Sequence, residues 1–114
     1  MNNWNGIGRL TKDADLTYTP EGLAVATFTL AIKRDFKNNK GEYDSDFINF
    51  VAWRGTAEAI ANYTEKGMQM AVTGRLQSRT YDDKNGVKRF VVEVIVASVT
   101  FTEKKKQNKQ PQPQ

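Results

Sequence analysis

Two stretches of this chain keep strict period-two patterning, and that limits what it can fold into. From Leu23 to Lys33 the sequence reads LAVATFTLAIK. Ala24, Ala26, Phe28, Leu30 and Ile32 form an apolar set, and Thr27, Thr29 and Lys33 fall on the opposite side. Successive side chains on a strand point to opposite faces, so this is a half-buried β-strand. From Asp46 to Arg54, Ile48, Phe50 and Ala52 share one face, while Phe47, Asn49, Val51 and Trp53 share the other. A strand with one solvated face normally places polar side chains there. Here that face carries two large rings around a polar residue.

Turn chemistry divides the remainder. Thr19-Pro20-Glu21-Gly22 reads as a turn, Asn38-Asn39-Lys40-Gly41 as a hairpin tip, and Asp82-Asp83-Lys84-Asn85-Gly86 as a second hairpin signal. A short glycine-bearing strand is expected at Asn3–Leu10, and longer ones at Met68–Tyr81 and Lys88–Phe101. The last of these has apolar residues on both faces, which predicts cover on both sides. The spacing of Ala57, Ile60, Ala61 and Thr64 predicts one helix over Thr56–Lys66, with Thr56 as N-cap and Gly67 as the stop. The order is three strands, a helix, then two strands. It matches the OB-fold, a five-stranded Greek-key β-barrel with its helix between strands 3 and 4, although other small folds share that inventory.

Composition removes several functions. The chain has 114 residues, enough for one modest core. It has no cysteine, hence neither disulfides nor thiolate metal sites, and no histidine, the commonest general base. Asp13 with Asp15 and Asp82 with Asp83 lack the ligand number of a calcium site. No metal, cofactor or catalytic residue is expected, and the protein is read as a non-enzyme. With no apolar run of bilayer length and no signal-peptide pattern, a cytoplasmic protein is expected. Net charge is +4, and residues 103–114 hold four lysines against one glutamate. The body is therefore close to neutral. The expected division is a folded domain at 1–102 and a disordered basic, Gln/Pro-containing tail at 103–114.

Phe36, Phe47, Trp53 and Tyr81 are the candidate site. Phe47 and Trp53 lie six apart in one strand, hence on one face, and Phe36 and Tyr81 sit where strands give way to Lys-bearing hairpin loops. Rings interleaved with Arg and Lys suit single-stranded nucleic acid, because every base offers a π face; stacking gains roughly 1–3 kcal/mol per base without reading sequence. Trp4, Phe28, Phe50 and Phe90 are assigned to the core or to subunit contacts.

Four segments carry a resemblance. They are Gly8-Arg9-Leu10-Thr11-Lys12-Asp13-Ala14-Asp15-Leu16-Thr17-Tyr18, Ala24-Val25-Ala26-Thr27-Phe28-Thr29-Leu30-Ala31, Phe47-Ile48-Asn49-Phe50-Val51-Ala52-Trp53-Arg54, and Val72-Thr73-Gly74-Arg75-Leu76-Gln77-Ser78-Arg79-Thr80-Tyr81. Across residues 1–101 the chain resembles the bacterial and phage single-stranded DNA-binding proteins of the homotetrameric kind. The resemblance implies an OB-fold that coats single-stranded DNA in replication, recombination and repair. Phe36, Phe47, Trp53 and Tyr81 match the family's stacking positions. Phosphate contacts are then expected from Arg54, Arg75 and Arg79 beside the rings, from Lys33 and Arg34 ahead of Phe36, and from Lys84 and Arg89 in the second hairpin. Two departures stand out. The family's DPxL reads Asp13-Ala14-Asp15-Leu16, and where bacterial members usually end in an acidic tip that docks repair and replication enzymes, this sequence ends in a basic, Gln/Pro-rich segment. The competing readings are an OB-fold module that recruits such enzymes while binding nucleic acid weakly, and an OB-fold nuclease.

Overall fold

The computed structural model describes residues 1–105; most of the tail expected at 103–114 lies outside the described residues. The elements are β1 (Trp4–Leu10), β2 (Asp15–Tyr18), β3 (Ala24–Lys37), β4 (Tyr43–Trp53), α1 (Arg54–Tyr63), β5 (Gln69–Asp82) and β6 (Lys88–Phe101). The strands run β1-β5-β6-β4-β3-β2, and β1 also pairs with β3, which closes a five-stranded barrel. This is the OB-fold expected from the strand order. The closing contact between β4 and β6 is parallel and short, Phe50 with Val94 and Val51 with Ile95.

One strand was not anticipated. β2 pairs with β3 along Asp15–Tyr18, on the same edge of β3 that β1 reaches at Arg9 and Leu10. The two segments act as one first strand broken at residues 11–14. The helix consequently follows the fourth strand in the chain instead of the third, with no change in the barrel.

The core lies where the alternating faces meet. Leu10, Leu30, Phe50, Ile60, Met70, Val72 and Val94 are buried, each contributing roughly 1.5–3 kcal/mol by leaving water. Phe28 stacks on Phe50 at 5.1 Å between centroids, and Trp4 meets Phe50 edge-on at 5.2 Å. Ala57 and Ile60 of α1 enter the same cluster. Phe90, expected in the core or at a subunit contact, is 76% exposed in the single chain. Its part of β6 projects beyond the barrel, so the core half of that expectation is corrected.

The helix also differs from expectation. It begins at Arg54, two residues before the expected cap, and its N-cap position is Trp53 with no side-chain cap. Arg54 has φ 61°, a left-handed conformation that turns the chain sharply from β4 into α1. At the other end the Thr64 N–H and hydroxyl both donate to the Ile60 carbonyl, ending the helix at Tyr63. Gly67, at φ 88°, serves the next turn.

Among the described residues, three antiparallel hairpin turns share one design. In Thr19–Leu23, Asn38–Glu42 and Asp83–Val87 the first and last residues are joined by a backbone hydrogen bond, and a glycine N–H donates to the first carbonyl. Gly22, Gly41 and Gly86 all have positive φ. A side-chain oxygen of the first residue accepts from the backbone N–H of the last. This is a type I turn closed by a left-handed glycine, the usual three-residue hairpin. The rigid turns let the β3–β4 and β5–β6 hairpins extend well past the barrel as fingers.

Candidate nucleic-acid interface

The outer face of β4 is built by register. Trp53 lies opposite Val25, Val51 opposite Thr27, Asn49 opposite Thr29, and Phe47 opposite Ala31. Small β3 partners leave the rings uncovered: Phe47 is 67% exposed and Trp53 42%. At the rise of a strand they stand about 20 Å apart. Between them the Thr29 hydroxyl donates to Asn49 Oδ1 at 2.8 Å, making a polar middle on an aromatic track.

A cleft of about 630 Å³ opens beside that middle. Thr27, Thr29, Asn49 and Val51 form one wall; Arg79, Tyr81, Val91 and Glu93 of the β5–β6 finger form another, with Lys12 and Asp15 at the end. The structure therefore brings Arg79 and Tyr81 to the polar centre of the β4 face. Phe36 stands on the β3–β4 finger, 85% exposed, where the register shifts between Lys33 and Lys37. Tyr81 is 47% exposed, opposite Arg89 in the ladder.

The expected cations fall into distinct situations. Arg34 is locked onto Asp46: its Nε and Nη2 both donate to the carboxylate, the shortest contact being 2.7 Å. Hydrogen bonding to Arg34 holds the Asp46 carboxyl below its ordinary range, and the same pairing raises the guanidinium. Arg89 donates from Nε to Asp83 at 2.9 Å. Asp83 also accepts the Val87 and Asn85 N–H groups, and the Val87 bond, followed by Arg89, depresses its pKa. Arg79 donates from Nε to Glu93. Arg75 donates to Gln77 Oε1 and lines a different hollow, with Asn2, Thr73 and Ile95. Arg54 and Lys84 are exposed. Lys33 places Nζ 4.3 Å over the Tyr43 ring.

Tyr43 is a residue the sequence reading missed. It is 45% exposed and, four residues before Phe47, has the parity of the aromatic face. Extending the period-two pattern back across Asp44 and Ser45 finds it. Glu93, an acidic residue on the strand with apolar residues on both faces, is only 5% exposed.

The model of the single-strand binding protein family matches residues 1–102. The chain belongs to that family. Among its relatives is a Listeria monocytogenes protein named single-stranded DNA-binding protein 2, 54% identical over 95% of this chain. A Bacillus cereus single-stranded DNA-binding protein is 54% identical over 90% of the chain, and Bacillus subtilis single-stranded DNA-binding protein A is 54% identical over 87%. The matched region spans 68% of the Listeria protein but 61% and 58% of the two Bacillus proteins. Among the described residues, no helix is long and apolar enough to cross a membrane.

Proposed function

We propose that this chain is a sequence-tolerant, non-enzymatic single-stranded DNA-binding protein that coats and protects unpaired DNA during replication, recombination and repair. The observation that carries this reading is the exposed pair Phe47 and Trp53 on one barrel face, flanked by the cleft in which Arg79 and Tyr81 converge. Unpaired bases stack on the rings of Phe36, Phe47, Trp53 and Tyr81, while Arg54, Arg75, Arg79, Lys33, Lys84 and Arg89 serve the phosphates; Arg34, also expected there, is already engaged by Asp46. The relatives' names agree with this partner. Residues 1–102 are proposed as the DNA-binding domain and the cytoplasm as its location.

A homotetramer is part of the proposal. Its support is unpartnered surface. β1 reaches β3 only at Arg9 and Leu10, so the outer edge from Trp4 to Gly8 lacks a strand partner among the described residues. The β5–β6 finger exposes Leu76, Phe90 and Val92. Sheet edges and apolar faces of this kind favour pairing with another copy. Recruitment of replication and recombination proteins is an additional role to be tested in pull-downs.

Titration of intrinsic tryptophan fluorescence with oligo(dT) tests the reading. Trp53 stands at the surface and Trp4 is packed on Phe50, so strong quenching is expected and the residual signal reports Trp4. Trp53→Ala is expected to abolish most of the quenching and to cost roughly 1–3 kcal/mol per base stacked on that ring. Duplex DNA, whose bases are already stacked, is expected to bind poorly. No quenching and no complex by light scattering would favour the recruitment module instead.

A further inference from the structure

Glu93 is a buried carboxylate in a wall that, on the reading above, faces a polyanion. Burying a carboxylate is costly unless it is paired, and like charge toward DNA is unfavourable. Its geometry resolves the conflict. The Glu93 side chain is 6% exposed, and its partner Arg79 is 52% exposed. Arg79 donates from Nε alone, at 3.2 and 3.4 Å to the two carboxylate oxygens. Its two terminal nitrogens make no hydrogen bond among the described residues, and the guanidinium carbon sits 5.9 Å from the Tyr81 ring centroid. Both side chains line the 630 Å³ cleft, with Lys12 also on its margin.

Arg34 provides the contrast within the same molecule. Its contact with Asp46 uses Nε and Nη2 together, the edge a phosphate would take bidentately. Asp46 thus occupies Arg34 as a competing anion does. Glu93 takes only the inner nitrogen of Arg79 and lies too deep to meet the strand.

We propose that Glu93 is a positioning residue for nucleic-acid binding: its sunken carboxylate anchors Arg79 through Nε and holds the two terminal nitrogens beside Tyr81, aimed at a backbone phosphate. The inference rests on the proposed DNA-binding function and goes beyond it, because it assigns an acidic residue a favourable part in binding an anion. It also predicts that lysine does not replace arginine at position 79. A lysine there has one ammonium whose three N–H groups fan from a single nitrogen, so Glu93 would draw the charge onto its own carboxylate instead of letting it reach past Tyr81 to the phosphate.

The test is oligo(dT) affinity as a function of salt, for the full chain and five variants. Glu93→Gln retains an acceptor for Nε and is expected to bind within about threefold of the parent. Glu93→Ala is expected to weaken binding about tenfold and to flatten the salt slope by about 0.7, the value for one lost phosphate contact. In an Arg79→Ala background, Glu93→Ala is expected to have no further effect, which a general structural role would not produce. Arg79→Lys leaves Glu93 in place and tests the same point if Glu93→Ala does not fold; its slope is expected to match that of Arg79→Ala. Tighter binding by Glu93→Gln or Glu93→Ala would make Glu93 a competitor and overturn the proposal, as would parental behaviour of Arg79→Lys. Should the parent chain itself fail to bind oligo(dT), the broader functional reading fails first, and the two results are distinguishable.

Discussion

The β3–β4 and β5–β6 fingers are built on the same turn and prepared for DNA in different ways. Asn38 and Asp83 hold their loops with matching hydrogen bonds, and Gly41 and Gly86 close them at φ 78° and 76°. Both fingers present a ring, Phe36 and Tyr81. The electrostatics then diverge. From Lys33 to Asp46 there are four basic residues against four acidic ones; from Arg79 to Phe90 there are four against two. On the first finger the arginine is held across two nitrogens by an exposed aspartate. On the second, Arg79 is held by one nitrogen from below. An arginine near an aromatic ring is thus not by itself a phosphate ligand. What matters is which edge of the guanidinium the protein already occupies.

The sharpest way to break this comparison is to remove each ring. Tyr81→Ala and Phe36→Ala are each expected to weaken oligo(dT) binding within the roughly 1–3 kcal/mol of a stacked base, with Tyr81 the larger. Tyr81 lines the cleft beside Arg79, so a base stacked there also gains a phosphate contact. Phe36 is 85% exposed and less supported. Fluorescence titration of the two variants, using the unchanged Trp53, measures the difference. A larger loss for Phe36→Ala would invert the ranking.

A second measurement sharpens the claim that the turns are equivalent. Gly41→Ala and Gly86→Ala each force a Cβ into left-handed backbone, at a cost of about 1–2 kcal/mol. Open space surrounds both glycines, so the cost is conformational alone. Urea unfolding is expected to give the same loss for both within about 0.5 kcal/mol, the scale on which independent sites behave additively. Gly74→Ala should be worse, because its Cβ would collide with the Ile95 carbonyl at the β5–β6 bulge.

The sequence was most legible inside the barrel, where one face is buried. The alternation of Ala24 through Ile32 and of Ile48, Phe50 and Ala52 predicted both strands and the exposed side of Phe47 and Trp53. Legibility faded where the fingers leave the barrel. Tyr43-Asp44-Ser45 is strand held by pairing with β3, but it has no apolar alternation of its own, and only parity counted back from Phe47 marks Tyr43. β2 was hidden for a related reason: Leu16 is its sole aliphatic residue, and the free edge of β3 makes it a strand. The onset of the helix was obscured because Arg54 takes a left-handed conformation that sequence rules reserve chiefly for glycine and asparagine. The pairing of Arg79 with Glu93, fourteen residues away, depends on the β5–β6 register. No local pattern marks which arginines are already engaged.

The smallest effect is the most specific. If Asp46 holds Arg34 away from the strand, Asp46→Ala, which leaves no acceptor, should free it, steepening the salt slope by up to about 0.7 and tightening binding by less than tenfold. The pH dependence follows from the direction of the shift. The folded-state pKa of Asp46 lies below its ordinary value because Arg34 bonds the carboxylate. The pair's contribution to stability is therefore complete above the unfolded carboxylate pKa of about 3.9 and is lost as pH falls through the lower folded value. Between pH 5 and 8 Asp46 stays ionised, Arg34 stays engaged, and this pair should add no pH dependence to DNA affinity. Salt titrations of the parent and Asp46→Ala at pH 5.5 and 7.5 measure both points. An unchanged slope in the variant would place Arg34 beyond reach of the strand and reduce the β3–β4 finger's grip to its aromatic ring and lysines.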